Sequence, residues 1–283
     1  MDSRDTKHFV NVGDHRICYV EGGDPRKPPL LLLHGWLGSH QLYRRCFPAL
    51  AHRYRYRALD LPGFGDSDKP SPSTTAYDPK WYAEQLNAFL DAVQLKKTTI
   101  CAQSMGAIVA TEFALRHPDR VEKLVLVDAA GVYHRPPLLG RLLVVPGLGR
   151  ALFTALGATR RALVNFMCND VWYVKDGVFE DAVIDEMERV LRLPGAKQAA
   201  HAALLRMISQ PAVRGFTPQL ARLQVPVRLI WGEHDRLFPV GSCGREMAKL
   251  IVGASLQIVP GAGHEPPAET PAAFLAALER ATA

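Results

Sequence analysis

Cysteine is sparse in this chain, and its copies are arranged for no obvious purpose: Cys18, Cys46, Cys101, Cys168 and Cys243 are scattered and odd in number. Without Cys-x-x-Cys or His-rich spacing they indicate neither a disulfide framework nor a zinc site, and reduced thiols in a cytoplasm are expected. No apolar run has the length and purity of a membrane span. The longest, Leu138 to Gly157, is broken by Arg141, Pro146, Gly147, Gly149 and Arg150. Met1–His8 has no apolar centre of the kind a secretion signal needs. A Gly-x-Gly-x-x-Gly turn, a Gly-x-x-x-x-Gly-Lys loop and a clustered ligand set are missing too, so no nucleotide, flavin or metal cofactor is expected. No motif for nucleic acid is present either.

What the chain does have is enough apolar material for a sizeable core, with 48% hydrophobic and 22% charged residues over 283 positions. One core with an insertion accounts for this length more simply than two domains. The net charge of +6 is concentrated in the middle: Tyr133 to Gln224 holds 12 Lys/Arg against 7 Asp/Glu. Those charges are dispersed, which reads as a solvated helical surface and not as a site for an anionic partner.

Phe9–Val12 and Arg16–Glu21 read as a hairpin around Gly13-Asp14, and the unbroken apolar run Leu30–Leu33 as a buried strand. Ser39–Ala51 is expected to be a helix, Tyr56–Asp60 a strand, Pro79–Val93 a helix and Thr98–Cys101 a strand. A helix over Ala107–His117 and a strand over Val121–Val127 follow. Such alternation predicts a sheet that starts antiparallel, becomes mainly parallel and is covered on both faces. From Tyr133 to Gln224 the pattern is helical with breaks at Pro136-Pro137, Pro146-Gly147, Pro194-Gly195, Pro211 and Pro218, and strand character returns only at Val225–Trp231. A helical insertion explains this better than a loop of that length. Met247–Ile251 closes a helix, Leu256–Val259 is a strand, and Pro271–Arg280 ends the chain as a helix.

Ala102-Gln103-Ser104-Met105-Gly106 lies between a strand and a helix. At such a turn small flanking residues let the backbone reverse sharply, and a serine hydroxyl stands exposed above the end of the sheet. Ala102 takes the place of a first glycine and Ala107 that of a further one, while Gly106 fits. The competing role for Ser104 is a helix N-cap. Serine is a poor nucleophile without a base and an oxyanion site, and the chain offers partners for both. Asp235 follows Val227–Trp231 in Gly232-Glu233-His234-Asp235, and His264 follows Leu256–Val259 in Gly261-Ala262-Gly263-His264-Glu265-Pro266. Each sits just past the C-terminal end of a strand, where open parallel sheets collect functional side chains.

With the order Ser, Asp, His in these contexts, nearly the whole chain resembles an α/β-hydrolase-fold protein. The resemblance implies a mostly parallel eight-stranded sheet flanked by helices. It also implies a core over 1–132 and 225–283 and a helical cap over 133–224, inserted after the sixth strand. It further implies Ser104 as nucleophile, His264 as general base and later acid, and Asp235 as the residue that orients His264. Backbone N–H groups of Met105 and of Trp36, in the His34-Gly35-Trp36 turn, would form the oxyanion hole. His34 and His234 are read as loop residues, Asp128 as the rival acid whose other role is hydrogen bonding at a strand end, and Asp60–Ser67 as a structural turn.

Serine at this position disfavours the haloalkane and epoxide branches of that family, which use a carboxylate there. A carboxylic ester, thioester, lactone or similar acyl compound is the expected substrate, cleaved through an acyl-serine. Three alternatives stay open: acyl transfer, hydrolysis of a carbon–carbon bond in a vinylogous diketone, and small-molecule reception or non-hydrolytic catalysis on the same fold. Gln103 and Glu265 stand where the carbon–carbon branch often has Asn and Trp. Leu138–Val145, Leu152–Leu156 and Phe166–Trp172 offer apolar surface for a pocket roof. Arg160-Arg161 is read as solvent-facing, Leu138–Leu156 makes only a weak amphipathic case for peripheral membrane contact, and oligomeric state is left open.

Overall fold

The computed structural model describes residues 6–132, 138–145, 147–156, 159–174 and 181–283. Tyr133, the Pro136-Pro137 break, Pro146 and Gly157 lie outside them. Strands β1 (Lys7–Val12) and β2 (His15–Gly22) form the expected hairpin, with Val12 paired to His15 across the Gly13-Asp14 turn. After β3 (Pro29–Leu33) the expected helix over Ser39–Ala51 divides. His40–Cys46 is a tight 3₁₀ turn capped by the Ser39 hydroxyl, and the α-helix α1 begins at Phe47 and runs to Arg53. Pro48 explains the division, since a proline donates no amide hydrogen and crowds the preceding turn.

Then come β4 (Arg55–Leu59), α2 (Pro79–Ala92), β5 (Thr98–Gln103), α3 (Met105–Arg116) and β6 (Val121–Val127). Six described helices separate β6 from β7: α4 (Leu138–Leu143), α5 (Leu148–Leu156), α6 (Arg160–Phe166), α7 (Asp181–Arg192), α8 (Ala196–Ala203) and α9 (Gln210–Phe216). The chain closes with β7 (Val227–Gly232), α10 (Arg245–Leu250), β8 (Ser255–Val259), α11 (Pro266–Glu269) and α12 (Pro271–Thr282).

The eight strands make one sheet in the order β1-β2-β4-β3-β5-β6-β7-β8. The β1–β2 and β2–β4 pairs are antiparallel and all later pairs parallel, as the sequence predicts. Alternation along each central strand sends side chains to two cores. Leu31, Leu33, Ile100, Ala102, Leu124 and Leu126 pack under α2 and α3, while Leu30, Leu32, Cys101, Val125 and Val127 pack under α1 and α12. Burial on both faces is why these strands read as continuous apolar runs. No helix among the described residues is long and apolar enough to cross a membrane.

The Asp60–Ser67 turn is held by its first residue. Asp60 is buried, yet its carboxylate accepts hydrogen bonds from the backbone and ring of His40 (2.7 and 2.8 Å) and from Asp66 N (2.8 Å). Burial alone would raise this carboxyl, but the His40 hydrogen bond and charge outweigh it and bring it down to about 2.

Candidate active site

β5 runs to Gln103 and α3 starts at Met105, so Ser104 alone makes the reversal. Its backbone sits at φ 54°, ψ −118°, a strained conformation for a residue with a Cβ. Three backbone bonds hold it there: Ser104 N donates to Val127 O (3.0 Å), and Ser104 O accepts from Ala107 N (3.0 Å) and Ala130 N (3.2 Å). Gly106 is required for space, because a Cβ there would stand 2.6 Å from His34 O. The Ser104 side chain caps no helix amide. Its Oγ lies 3.0 Å from His264 Nε2 instead, and His264 Nδ1 lies 2.8 Å from Asp235 Oδ2.

A carboxylate can only accept, so Nδ1 carries the imidazole proton and Nε2 is left to accept from the serine. Asp235 is fixed in turn through its other oxygen, which accepts from Leu237 N and Phe238 N, both at 2.9 Å. His264 is pinned at its backbone, where N donates to Val171 O (3.0 Å) and the Gln103 side chain donates to the carbonyl (2.9 Å). Burial opposes a charged His264. The Asp235 charge and hydrogen bond, with Glu265 and Glu269 behind them, outweigh burial and raise its pKa above the ordinary 6.5.

Asp128, the rival acid, accepts from Gly232 N at 2.8 Å, the strand-end role expected of it. It lies close to Asp235 and His264 as well. Burial, then the neighbouring Asp235 charge, push its carboxyl well above the usual range. His34 is buried away from this chemistry: its Nε2 accepts from Leu61 N (3.0 Å) and Nδ1 donates to Gly35 O (2.7 Å), tying two turns together. His234 stacks on Tyr173 at 3.8 Å, and Arg160 pairs with Asp185 on the exterior.

Two carboxylates that the sequence reading did not assign turn out to matter. Glu269 is buried, and its Oε2 accepts from the backbone N–H of Tyr173 (2.8 Å), Val174 (3.0 Å) and Gly263 (3.0 Å) while Oε1 accepts from Glu265 N (2.9 Å). One side chain thus fastens the His264 loop to the segment after α6. Gly263 admits this approach, since a Cβ would stand 2.7 Å from Tyr173 N. Glu265 accepts from Trp172 Nε1 at 2.7 Å, and burial pushes its carboxyl up to about 7 against the opposing pull of that bond and of His264. No local sequence pattern marks either role, which depends on distant amide and indole partners.

Ser104 and His264 open into a cavity of about 980 Å³ between the sheet edge and the inserted helices. Trp36, Leu143, Phe153, Phe166, Met167 and Trp172 are among its walls, so parts of all three expected apolar runs contribute. Trp36 Nε1 donates to Ala200 O (2.7 Å), tying the first turn to α8. Among the described residues, potential metal ligands gather at Cys18–His40–Asp60 and at Asp128–Asp235–His264. In each group the carboxylate and imidazole are already bonded to one another, and burial pushes the Cys18 thiol far up, away from the thiolate a metal needs.

A sequence model of the α/β hydrolase fold matches residues 28–171, half of the chain. The chain belongs to the α/β-hydrolase fold family. Within that family it is 28% identical to the soluble epoxide hydrolase of Corynebacterium sp. (strain C12), covering 96% of this chain and 95% of that one. It is 26% identical to the pimeloyl-[acyl-carrier protein] methyl ester esterase of Aeromonas hydrophila, over 89% and 94%. Among solved structures it resembles Cfl2 from Burkholderia cenocepacia, with a TM-score of 0.85 and 26% identity over 97% of this chain and 94% of that one.

Proposed function

We propose that this α/β hydrolase is a serine hydrolase that cleaves a carboxylic ester or related acyl substrate bearing an apolar group. The observation behind this reading is the continuous hydrogen-bonded chain Ser104–His264–Asp235 facing an apolar cavity. Ser104 Oγ passes its proton to His264 Nε2 as it attacks the carbonyl carbon. The oxyanion is held by the Met105 and Trp36 amides. The tetrahedral adduct collapses, His264 returns the proton to the leaving alcohol or thiol, and water releases the acid by the same route. Asp235 keeps the imidazole in the required tautomer throughout. Similarity to an epoxide hydrolase does not extend to this step, since serine attack on an epoxide would leave an ether that water does not cleave.

Residues 133–224 act as a cap over a core formed by 1–132 and 225–283, and the five free thiols suit the cytoplasm. A fluorophosphonate probe with peptide mapping, run beside esters and thioesters of graded chain length, tests the reading. Stoichiometric modification at Ser104 together with turnover is expected. Labelling without turnover of any substrate points away from an acyl hydrolase.

A further inference from the structure

The cavity wall next to His264 holds a carboxyl group whose hydrogen bonding is incomplete. Glu265 Oε2 is taken by Trp172 Nε1, whereas Oε1 has no hydrogen-bond partner among the described residues. The side chain sits deep in the protein yet keeps accessible surface, because it lines the cavity together with Ser104 and His264. Its hydrogen-bond partner Trp172 and the apolar Leu42, Met167 and Phe238 line the same cavity. The lining also carries the cations Lys7, Arg44, Arg45 and Arg141, of which Lys7 is paired with Asp66 and Arg45 donates to Ala268 O. Its backbone is fixed as well, since Glu265 N donates to Glu269 Oε1. A rigid acceptor left open in an apolar cavity favours a ligand that brings a donor and disfavours one that brings methyl or carboxylate to the same place.

We infer that Glu265 is a specificity-determining residue: its Oε1 accepts a hydrogen bond from the substrate, selecting acyl esters with a hydroxyl or other N–H/O–H donor near the scissile carbonyl. This rests on the serine-hydrolase reading above. Trp172 sets the direction of the carboxyl, and His264 next door ties donor recognition to the reacting centre. Above about pH 7, where Glu265 is ionised, a carboxylate at that place would meet it charge to charge.

Two pairs of near-isosteric esters test this, one for each side of the scissile bond: p-nitrophenyl 3-hydroxybutanoate against 3-methylbutanoate, and 2-hydroxyethyl against propyl butanoate. The wild-type enzyme is expected to favour the hydroxyl member in at least one pair by roughly ten- to hundredfold in kcat/KM. Glu265→Leu removes the acceptor and should collapse that ratio, while Glu265→Gln, which keeps a carbonyl oxygen, should retain part of it. A role limited to holding Trp172 would change both members of a pair alike and leave the ratio unmoved. Absence of preference in both wild-type pairs overturns the inference whatever the variants do, and so does an unchanged ratio in Glu265→Leu. Fluorophosphonate labelling of each protein separates the two claims. Labelling at Ser104 without selectivity defeats this inference alone, and wild-type protein that does not label defeats the hydrolase reading and this inference with it.

Discussion

The C-terminal edge of the sheet and the helical segment between β6 and β7 meet at the same cavity but are built by different means. At the sheet edge Ser104 is bracketed by backbone bonds with Val127, Ala107 and Ala130, the Asp235 and His264 loops touch where Gly232 meets Gly263, and the Gln103, Asp128 and Glu269 side chains bond to the backbone of these strand ends and loops. The inserted helices are tied to that frame at a few polar points, among them Trp36 with Ala200, Glu269 with Tyr173 and Val174, and Arg189 with Asp66. They also leave Leu142, Val145 and Leu148 exposed to solvent. The Ser104 backbone is thus set by backbone bonds, whereas Asp235 and the His264 loop also depend on the side chains around them. The apolar walls of the cavity come from both regions, Phe153, Phe166 and Met167 from the inserted segment and Trp36 and Phe238 from the frame. This difference makes the two regions separately testable.

The largest expected effect separates the two buried acids of the frame. Asp235→Asn leaves the shape but reverses the donor logic at His264 Nδ1, and kcat should fall by about 10⁴-fold. Asp128→Asn keeps an oxygen to accept from Gly232 N and replaces a carboxyl pushed well above the usual range, so kcat should stay within about tenfold. Steady-state kinetics on one ester decides the matter, and the opposite ranking would make Asp128 the acid. Next comes the fastening between regions. Glu269→Gln turns an amide nitrogen toward amide donors and should destabilise the fold by about 2–4 kcal/mol in urea titrations, with a matching loss of activity. An unchanged midpoint would mean that Glu269 does not couple the two parts.

A smaller effect concerns pH. His264 must be neutral to accept the serine proton, and its pKa is raised by the acids around it, so kcat/KM should climb with pH through a limb above 6.5. The ion pair with Asp235 stabilises the fold below 6.5, and that contribution is lost as pH rises through the raised value. Glu265→Gln should lower the limb, because it removes one of the raising charges. A wild-type limb below 6.5 would contradict the charge balance. The smallest effect concerns one surface tie between the two regions. Arg189 is 44% exposed and pairs with Asp66, so Arg189→Ala should cost under about 1 kcal/mol of stability and act chiefly on KM.

Most of the sheet was legible in the sequence because local rules decide it. Buried strands such as Val121–Val127 are unbroken apolar runs, and Gly13-Asp14 marks a two-residue turn. Ser104, Asp235 and His264 were legible because each follows a strand and the three occur in a recognised order. The split of Ser39–Ala51 was written in Pro48 but outweighed by the helical pattern around it. Glu265, Glu269 and the bond from Gln103 to His264 were not legible. Their meaning depends on partners 93 and 161 positions away for Glu265 and Gln103, and 95 and 96 away for Glu269, and no local pattern encodes such pairings.

Whether Ser104 carries the acyl group is decided by mixing the enzyme with excess p-nitrophenyl butanoate, quenching it in acid within milliseconds and mapping the trapped protein by mass spectrometry. Nucleophilic attack by Ser104 leaves a butanoyl group on its peptide, accumulating alongside a nitrophenolate burst and absent from Ser104→Ala. Turnover with no acyl adduct, or an adduct on a different residue, would contradict it.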